Sequence, residues 1–372
     1  RSPTVTGVQT CALPIYMHKT AIWQEKGWPY LTWNYQEVMS ILGEVRNRQG
    51  RLVGKTSLLG IDLKKNALLN AISNEIVCSA ELDGQTLDAN KVRLSVIHQL
   101  KLEKKPQPEI DLTVDRIVSV STDAVLNYLE PVTEERILRW RDALSAFPRE
   151  TPCHTDTVTA ATSSGSRHYF PMQDTSPISN EMKRFVKWVN TKHPTDPVIK
   201  AALAHVYFWL LHPFATTNGQ IARTISHLFL TRADNFPQRF FCLSDQFCKQ
   251  KETYRQILHT VCHQNLDITE WLMWFLHCLD AALNEAERSI TRILEKSKFW
   301  EKYRLVRLND RQVKMINLLW EGMDDKLTSS IWANINLCSP DTALRDIQDL
   351  IDKKILHKHG DGGRSTSYGL RN

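Results

Sequence analysis

An apolar run, AALAHVYFWLL from Ala201 to Leu211, ends abruptly in HPFATTNGQIARTISH, His212 to His227. A segment apolar on every side has to be buried as a helix within a larger core, and Pro213 stops it. Small and amide residues from Ala215 to Gly219 follow, and QIARTISHLFL then opens a second helix pattern. A chain that spends its most apolar segment on presenting such a loop is built around that helix pair. The loop itself carries no acidic residue.

The residue types in the loop suggest a chemistry. A glycine-containing loop at a helix N-terminus offers unpaired N–H groups and the positive end of the helix dipole, an anion site. His212 beside it can take a proton from an incoming hydroxyl, and Arg223, one turn into the helix, can hold phosphate charge. Base, anion cradle and arginine together point to transfer of a phosphate-containing group to an alcohol. On residue types alone, a core histidine followed by an ordinary loop fits equally well.

Helical periodicity dominates the rest of the chain. Val38, Ile41, Leu42 and Val45 recur at helical spacing, as do Leu63, Ala67, Ala71 and Ile72. Asp88 and Thr133 mark helix starts. Upstream, MHKTAIWQEKGWPYLTW is aromatic and punctuated by glycine and proline, the texture of a strap packed on something larger. From Pro148 to Pro177 the chain is rich in Thr and Ser and breaks the pattern, leaving a long loop or a hairpin around SRHYFP. After Asn309 come three short helical units, the third with Ser339 as N-cap and Pro340 at its first position, and then two β-like runs around a Gly-rich turn. Three short helices and a hairpin make a winged helix-turn-helix. The expected fold is mainly α, with a small β-hairpin flap and this terminal module.

The resulting division is an N-terminal helical domain over 17–110, a core over 111–298 and the winged helix over 299–372. The first sixteen residues, RSPTVTGVQTCALPIY, resemble adapter read-through and are set aside as a non-native leader before Met17. Eight cysteines without a CxxC pair argue against a disulfide framework or zinc site, and for a reducing, cytoplasmic setting. HTVCH, His259 to His263, reads as one helix face rather than a metal site. No apolar run reaches the roughly 18–20 residues a membrane span needs.

The opening motif resembles the signature of the Fic (Fido-domain) family, H-P-F-x-[D/E]-G-N-G-R-x-x-R. His212, Pro213, Phe214, Asn218, Gly219 and Arg223 stand at matching positions. AALAHVYFWLLHPF, DITEWLMWFL and IWQEKGWPYLTW extend the similarity to a subgroup that joins an N-terminal helical domain, a Fic core and a C-terminal winged helix. The resemblance implies transfer of AMP from ATP to a hydroxyl side chain of a target protein, with His212 as base. It places the phosphates against Thr216, Thr217, Asn218, Gly219, Gln220 and Arg223. A hairpin flap carrying Arg167, His168 and Tyr169 would dock the target.

Three positions depart from that signature. Thr216 stands where the resemblance expects the Mg²⁺-binding acid, and a neutral hydroxyl is a poor ligand for that hard cation. No residue of the chain is therefore assigned to a metal, and Mg²⁺ would have to arrive with the ATP. Thr217 replaces a glycine where backbone approaches phosphate and a positive φ is called for. Gln220 replaces the first arginine and loses its charge and fork. A slow transferase, a transferase with another donor and a catalytically impaired regulator all stay open. Some family members carry an inhibitory helix with the pattern [S/T]-x-x-x-E-[G/N]. SAELDG supplies Ser79, Asp83 and Gly84 at its positions, with Asp83 one methylene shorter than the expected glutamate.

The winged helix offers a DNA or a protein partner. From Asn309 to Asn372 the chain has nine Lys or Arg and nine Asp or Glu, so the module lacks the basic excess that phosphate neutralisation requires. Docking to a protein, or dimerisation of the chain, fits somewhat better than DNA.

Overall fold

The computed structural model describes residues 22–102, 110–145, 178–192, 194–236, 238–323, 326–359 and 366–371. The expected leader and the expected flap residues Arg167, His168 and Tyr169 lie outside them. The described chain is helical apart from one small hairpin: α1 Tyr35–Ser57, α2 Ile61–Leu82, α3 Ala89–Gln99, α4 Leu112–Leu126, α5 Glu134–Ser145, α6 Ile178–Asn190 and α7 Pro197–Leu211. There follow α8 Asn218–Asp234, α9 Leu243–Lys249, α10 Lys251–Cys262, α11 Thr269–Lys302, α12 Asp310–Glu321, α13 Ser329–Asn336 and α14 Pro340–Asp352, then β1 Leu356–His359 and β2 Ser367–Leu370. The chain divides into two compact units at Ile290. Among the described residues no helix is long and apolar enough to cross a membrane.

Helix starts in the first unit follow local chemistry. Asn34, Asp88, Asp111 and Asp196 each accept backbone N–H bonds from the first turn that follows them, satisfying donors that a helix leaves unpaired. The aromatic strap lies on the helices: Trp28 meets Tyr207 edge-on at 5.0 Å, and Thr32 exchanges backbone hydrogen bonds with Leu266 and Ile268. At the centre α7 packs along α8 and is buried nearly throughout. His205, inside this pair, bonds the Ser226 hydroxyl through Nδ1 and the Tyr254 hydroxyl through Nε2, each at 2.9 Å. Trp271 donates to the Ala202 carbonyl at 3.0 Å and ties α11 to the same pair.

The second unit has its own core around Met315, Trp332, Ile347 and Leu350. Asn309 and Gln312 cap α12 reciprocally, and Ser339 caps α14 with Pro340 in its first turn. β1 and β2 pair antiparallel, Leu356 opposite Leu370 and His359 opposite Ser367.

Candidate active site

The two central helices deliver the loop. His212 caps α7 in the left-handed conformation, with φ +42° and its N–H on the Phe208 carbonyl. Burial pushes its imidazole down to about 4, against a hydrogen bond to the Trp209 backbone and the nearby Asp83 charge, both of which favour the proton. The ring is thus neutral at pH 7, as a base must be. Asn218 closes the loop: its amide accepts from the Phe214 N–H at 3.1 Å and donates to the Phe214 carbonyl at 2.5 Å. Asn218 therefore holds backbone, and the outward N–H groups are those after it.

Thr217 precedes α8 with φ +73°, a conformation that a β-branched residue enters only under strain. Its hydroxyl bonds the Thr216 carbonyl and supplies no cap to the helix. The first turn of α8 therefore presents backbone N–H groups without a side-chain cap, and Asp83 fills that place. One Asp83 oxygen accepts from the Gln220 N–H at 3.2 Å. The other meets Arg223 Nη2 at 3.0 Å. A Cβ on Gly219 would stand 2.8 Å from Asp83 Oδ1, so glycine there is what lets the carboxylate approach.

Arg223 is held from several sides. Nε donates to the Ser79 hydroxyl and Nη2 to the Ser79 carbonyl, both at 2.8 Å. Burial disfavours its charge, but Asp83 and a hydrogen bond to Tyr254 outweigh that and keep it firmly protonated. Gly84 follows at φ +75°, and the Gln85 N–H turns back to the Ala80 carbonyl, ending α2 where Asp83 faces the loop.

Ser79, Asp83, Gly219, Gln220 and Arg223 thus come together with His212 beside them. Three contributors carry no motif. Gln85 accepts from the Gln220 amide at 2.9 Å, giving the neutral replacement a neutral partner. Tyr254 joins Arg223 to His205. Glu75, one turn before Ser79, takes His227 Nε2 at 2.8 Å and both the N–H and the hydroxyl of Ser244. Burial alone would raise its carboxyl, yet those partners pull it down to about 2. Thr216 carries no charge, and among the described residues no three of His, Cys, Asp or Glu are grouped to hold an ion. With the nearest carboxylate committed to Arg223, the loop does not fit a protein-held Mg²⁺.

Residues 131–230 match the sequence model of the Fic/DOC family, and residues 21–102 match one described as a domain of unknown function, DUF4172. A stretch of 54 residues is 41% identical to the protein adenylyltransferase Fic of Drosophila melanogaster, covering 14% of this chain and 11% of the fly protein. Another, of 62 residues, is 36% identical to the protein adenylyltransferase fic-1 of Caenorhabditis elegans, covering 16% of this chain and 12% of the worm protein. The chain matches only about a tenth of the length of these curated relatives. A Fic family protein from Desulfovibrio desulfuricans has the same fold, with a TM-score of 0.51 and 16% identity over 92% of this chain and 97% of that one.

Proposed function

The chain is a Fic-family protein through its residues 131–230, and from that premise we propose that it is a self-inhibited protein adenylyltransferase. In this reaction a hydroxyl of the target protein gives its proton to His212 while its oxygen attacks the α-phosphorus of ATP. The bond to the bridging oxygen breaks, pyrophosphate leaves, and AMP stays esterified to the target. The α8 N-terminus and Arg223 stabilise the negative oxygens through backbone N–H groups and a fixed guanidinium. Loss of the loop acid and the first arginine makes the transfer slow, and Mg²⁺ enters with the nucleotide.

One observation carries the reading: the Asp83 carboxylate is already seated on the Gln220 N–H and on Arg223. A site that binds a side-chain anion in this way is built for an anion, and its own α2 fills it. ATP must displace Asp83, and its phosphate charge would then raise the basicity of His212 from the low value that burial imposes. The test is incubation with ATP labelled at the α-phosphate. Label on protein should rise in Asp83→Gly and disappear when His212→Ala is added. Label that survives His212→Ala overturns the assignment of the base. If Asp83→Gly binds no more ATP than the wild type, the latch is wrong.

For the second unit we infer a winged helix that docks a protein. The exposed side of α14 presents Asp341, Leu344, Arg345, Gln348 and Asp352, a mixed surface with two carboxylates that a DNA backbone would repel.

A further inference from the structure

Among the described residues, Arg223 is held from two helices. Ser79 lies on α2 and Asp83 caps its end, so a movement of α2 that opens the cradle loosens both contacts. Tyr254 stands on α10 and is the partner outside that helix. Ser79 and Asp83 take Nε and both hydrogens of Nη2, which leaves Nη1 for the Tyr254 oxygen. Nη1 also faces the start of α8, 3.1 Å from where a Cβ on Gly219 would stand.

The hydrogens behind this contact can run one way only. A guanidinium donates and never accepts, so the Tyr254 oxygen accepts from Arg223 and sends its own hydrogen elsewhere. His205 Nε2, 2.9 Å away, is the acceptor. Nε2 is then bare, and the imidazole, kept neutral by burial and by the Arg223 charge, carries its hydrogen on Nδ1. Nδ1–H donates to the Ser226 hydroxyl at 2.9 Å, and that hydroxyl donates to the Ala222 carbonyl at 3.1 Å. The opposite tautomer would leave the Tyr254 hydrogen buried without an acceptor. All four side chains are buried, and bonds pointing the same way polarise one another.

We propose that Tyr254 is a positioning residue, held by His205 and Ser226, that keeps the Arg223 guanidinium aimed at the start of α8 once Asp83 has left. This role rests on the reading of the site as a nucleotide cradle. The Tyr254 ring is fixed independently, stacked on Phe247 at 5.0 Å and on Trp274 at 5.4 Å. Tyr254→Phe therefore removes the hydroxyl and leaves the packing in place.

The test uses the full chain carrying Asp83→Asn, with and without Tyr254→Phe. Nitrogen NMR should find the His205 hydrogen on Nδ1 while Tyr254 is present. It should also show slow rotation of the Arg223 guanidinium that becomes fast in Tyr254→Phe. ATP affinity, measured by calorimetry well below the melting temperature, should fall by about tenfold in the same variant. A hydroxyl that serves only the fold would lower the melting temperature and leave that affinity as it was, and the proposal would be overturned. A hydrogen on Nε2, or a guanidinium that turns no faster, overturns it whatever ATP does. Should Tyr254→Phe fail to fold, Ser226→Ala removes the acceptor that holds the His205 hydrogen on Nδ1, and the same two losses are expected. If Asp83→Asn binds no ATP while Tyr254→Phe still frees the guanidinium, the chain of bonds stands. The cradle reading then fails, and the positioning role falls with it.

Discussion

Asp83 and Arg223 meet at 3.0 Å although aspartate is one methylene shorter than the glutamate of the inhibitory pattern. The reach is made up by the backbone. Asp83 closes α2, the missing Cβ of Gly219 leaves room for its carboxylate, and Ser79 draws the guanidinium toward α2. The pair is also fastened to the Gln220 N–H, so the carboxylate lies over the N-terminal end of α8.

Replacing Asp83 by Asn keeps the shape and removes the charge that, in the proposed latch, competes with phosphate. Arg223 retains Ser79 and Tyr254, so the fold should survive with a lower melting temperature. ATP affinity, measured by calorimetry, should rise by about tenfold, equivalent to roughly 1.4 kcal/mol. An unchanged affinity would mean that Asp83 is an ordinary helix-end residue.

Thr217 stores strain that glycine would release. A β-branched side chain at φ +73° costs on the order of 1–3 kcal/mol, partly offset by the greater freedom of glycine in the unfolded chain. Thr217→Gly should therefore stabilise the protein by about 1 kcal/mol in denaturant unfolding. Thr217→Ala, which leaves a Cβ in the same conformation, should gain less. Equal gains from both would place the cost in packing of the buried Thr217 side chain rather than in its backbone.

Why the sequence reveals some of this and hides the rest follows from distance along the chain. Asp88 and Ser339 are readable as helix starts because a cap bonds residues two or three positions on. The positive φ at Thr217 is readable from the glycine that the motif expects there. The Gln220 and Gln85 amides meet across 135 positions, and Ser244 reaches Glu75 across 169, so neither pair leaves a local signature.

Acid should weaken the fold in two stages. His212 binds its proton less tightly when folded, at about 4, than the 6.5 of the free side chain, so the unfolded chain takes up more protons as pH falls. Stability is then lost between about 6.5 and 4, and buried His205, shifted the same way, adds to the slope. Glu75 acts lower down. Its folded value of about 2 lies beneath the ordinary 4.5, so its contribution, on the order of 3 kcal/mol, is present above 4.5 and fades toward 2. In urea unfolding followed against pH, His212→Gln should flatten the upper stage and leave the lower one. Glu75→Gln should do the reverse. A His212→Gln curve parallel to that of the wild type would contradict the shifted imidazole.

Thr216 decides the relation to metal. The loop offers no anionic oxygen to Mg²⁺, and Asp83 cannot serve while it holds Arg223. In an Asp83→Asn background, where the cradle is open, ATP should bind with little dependence on Mg²⁺. Adding Thr216→Asp supplies a carboxylate at the position the family uses for the cation. Its isolated charge should weaken metal-free ATP by repulsion and should strengthen Mg²⁺–ATP by about tenfold or more, so the ratio of the two affinities reports the ligand directly. Label transfer from ATP should rise with that ratio and remain dependent on His212. If the carboxylate weakens both forms of the nucleotide alike, Thr216 does not face the phosphates, and the departure from the family pattern would lie in loop geometry rather than in charge.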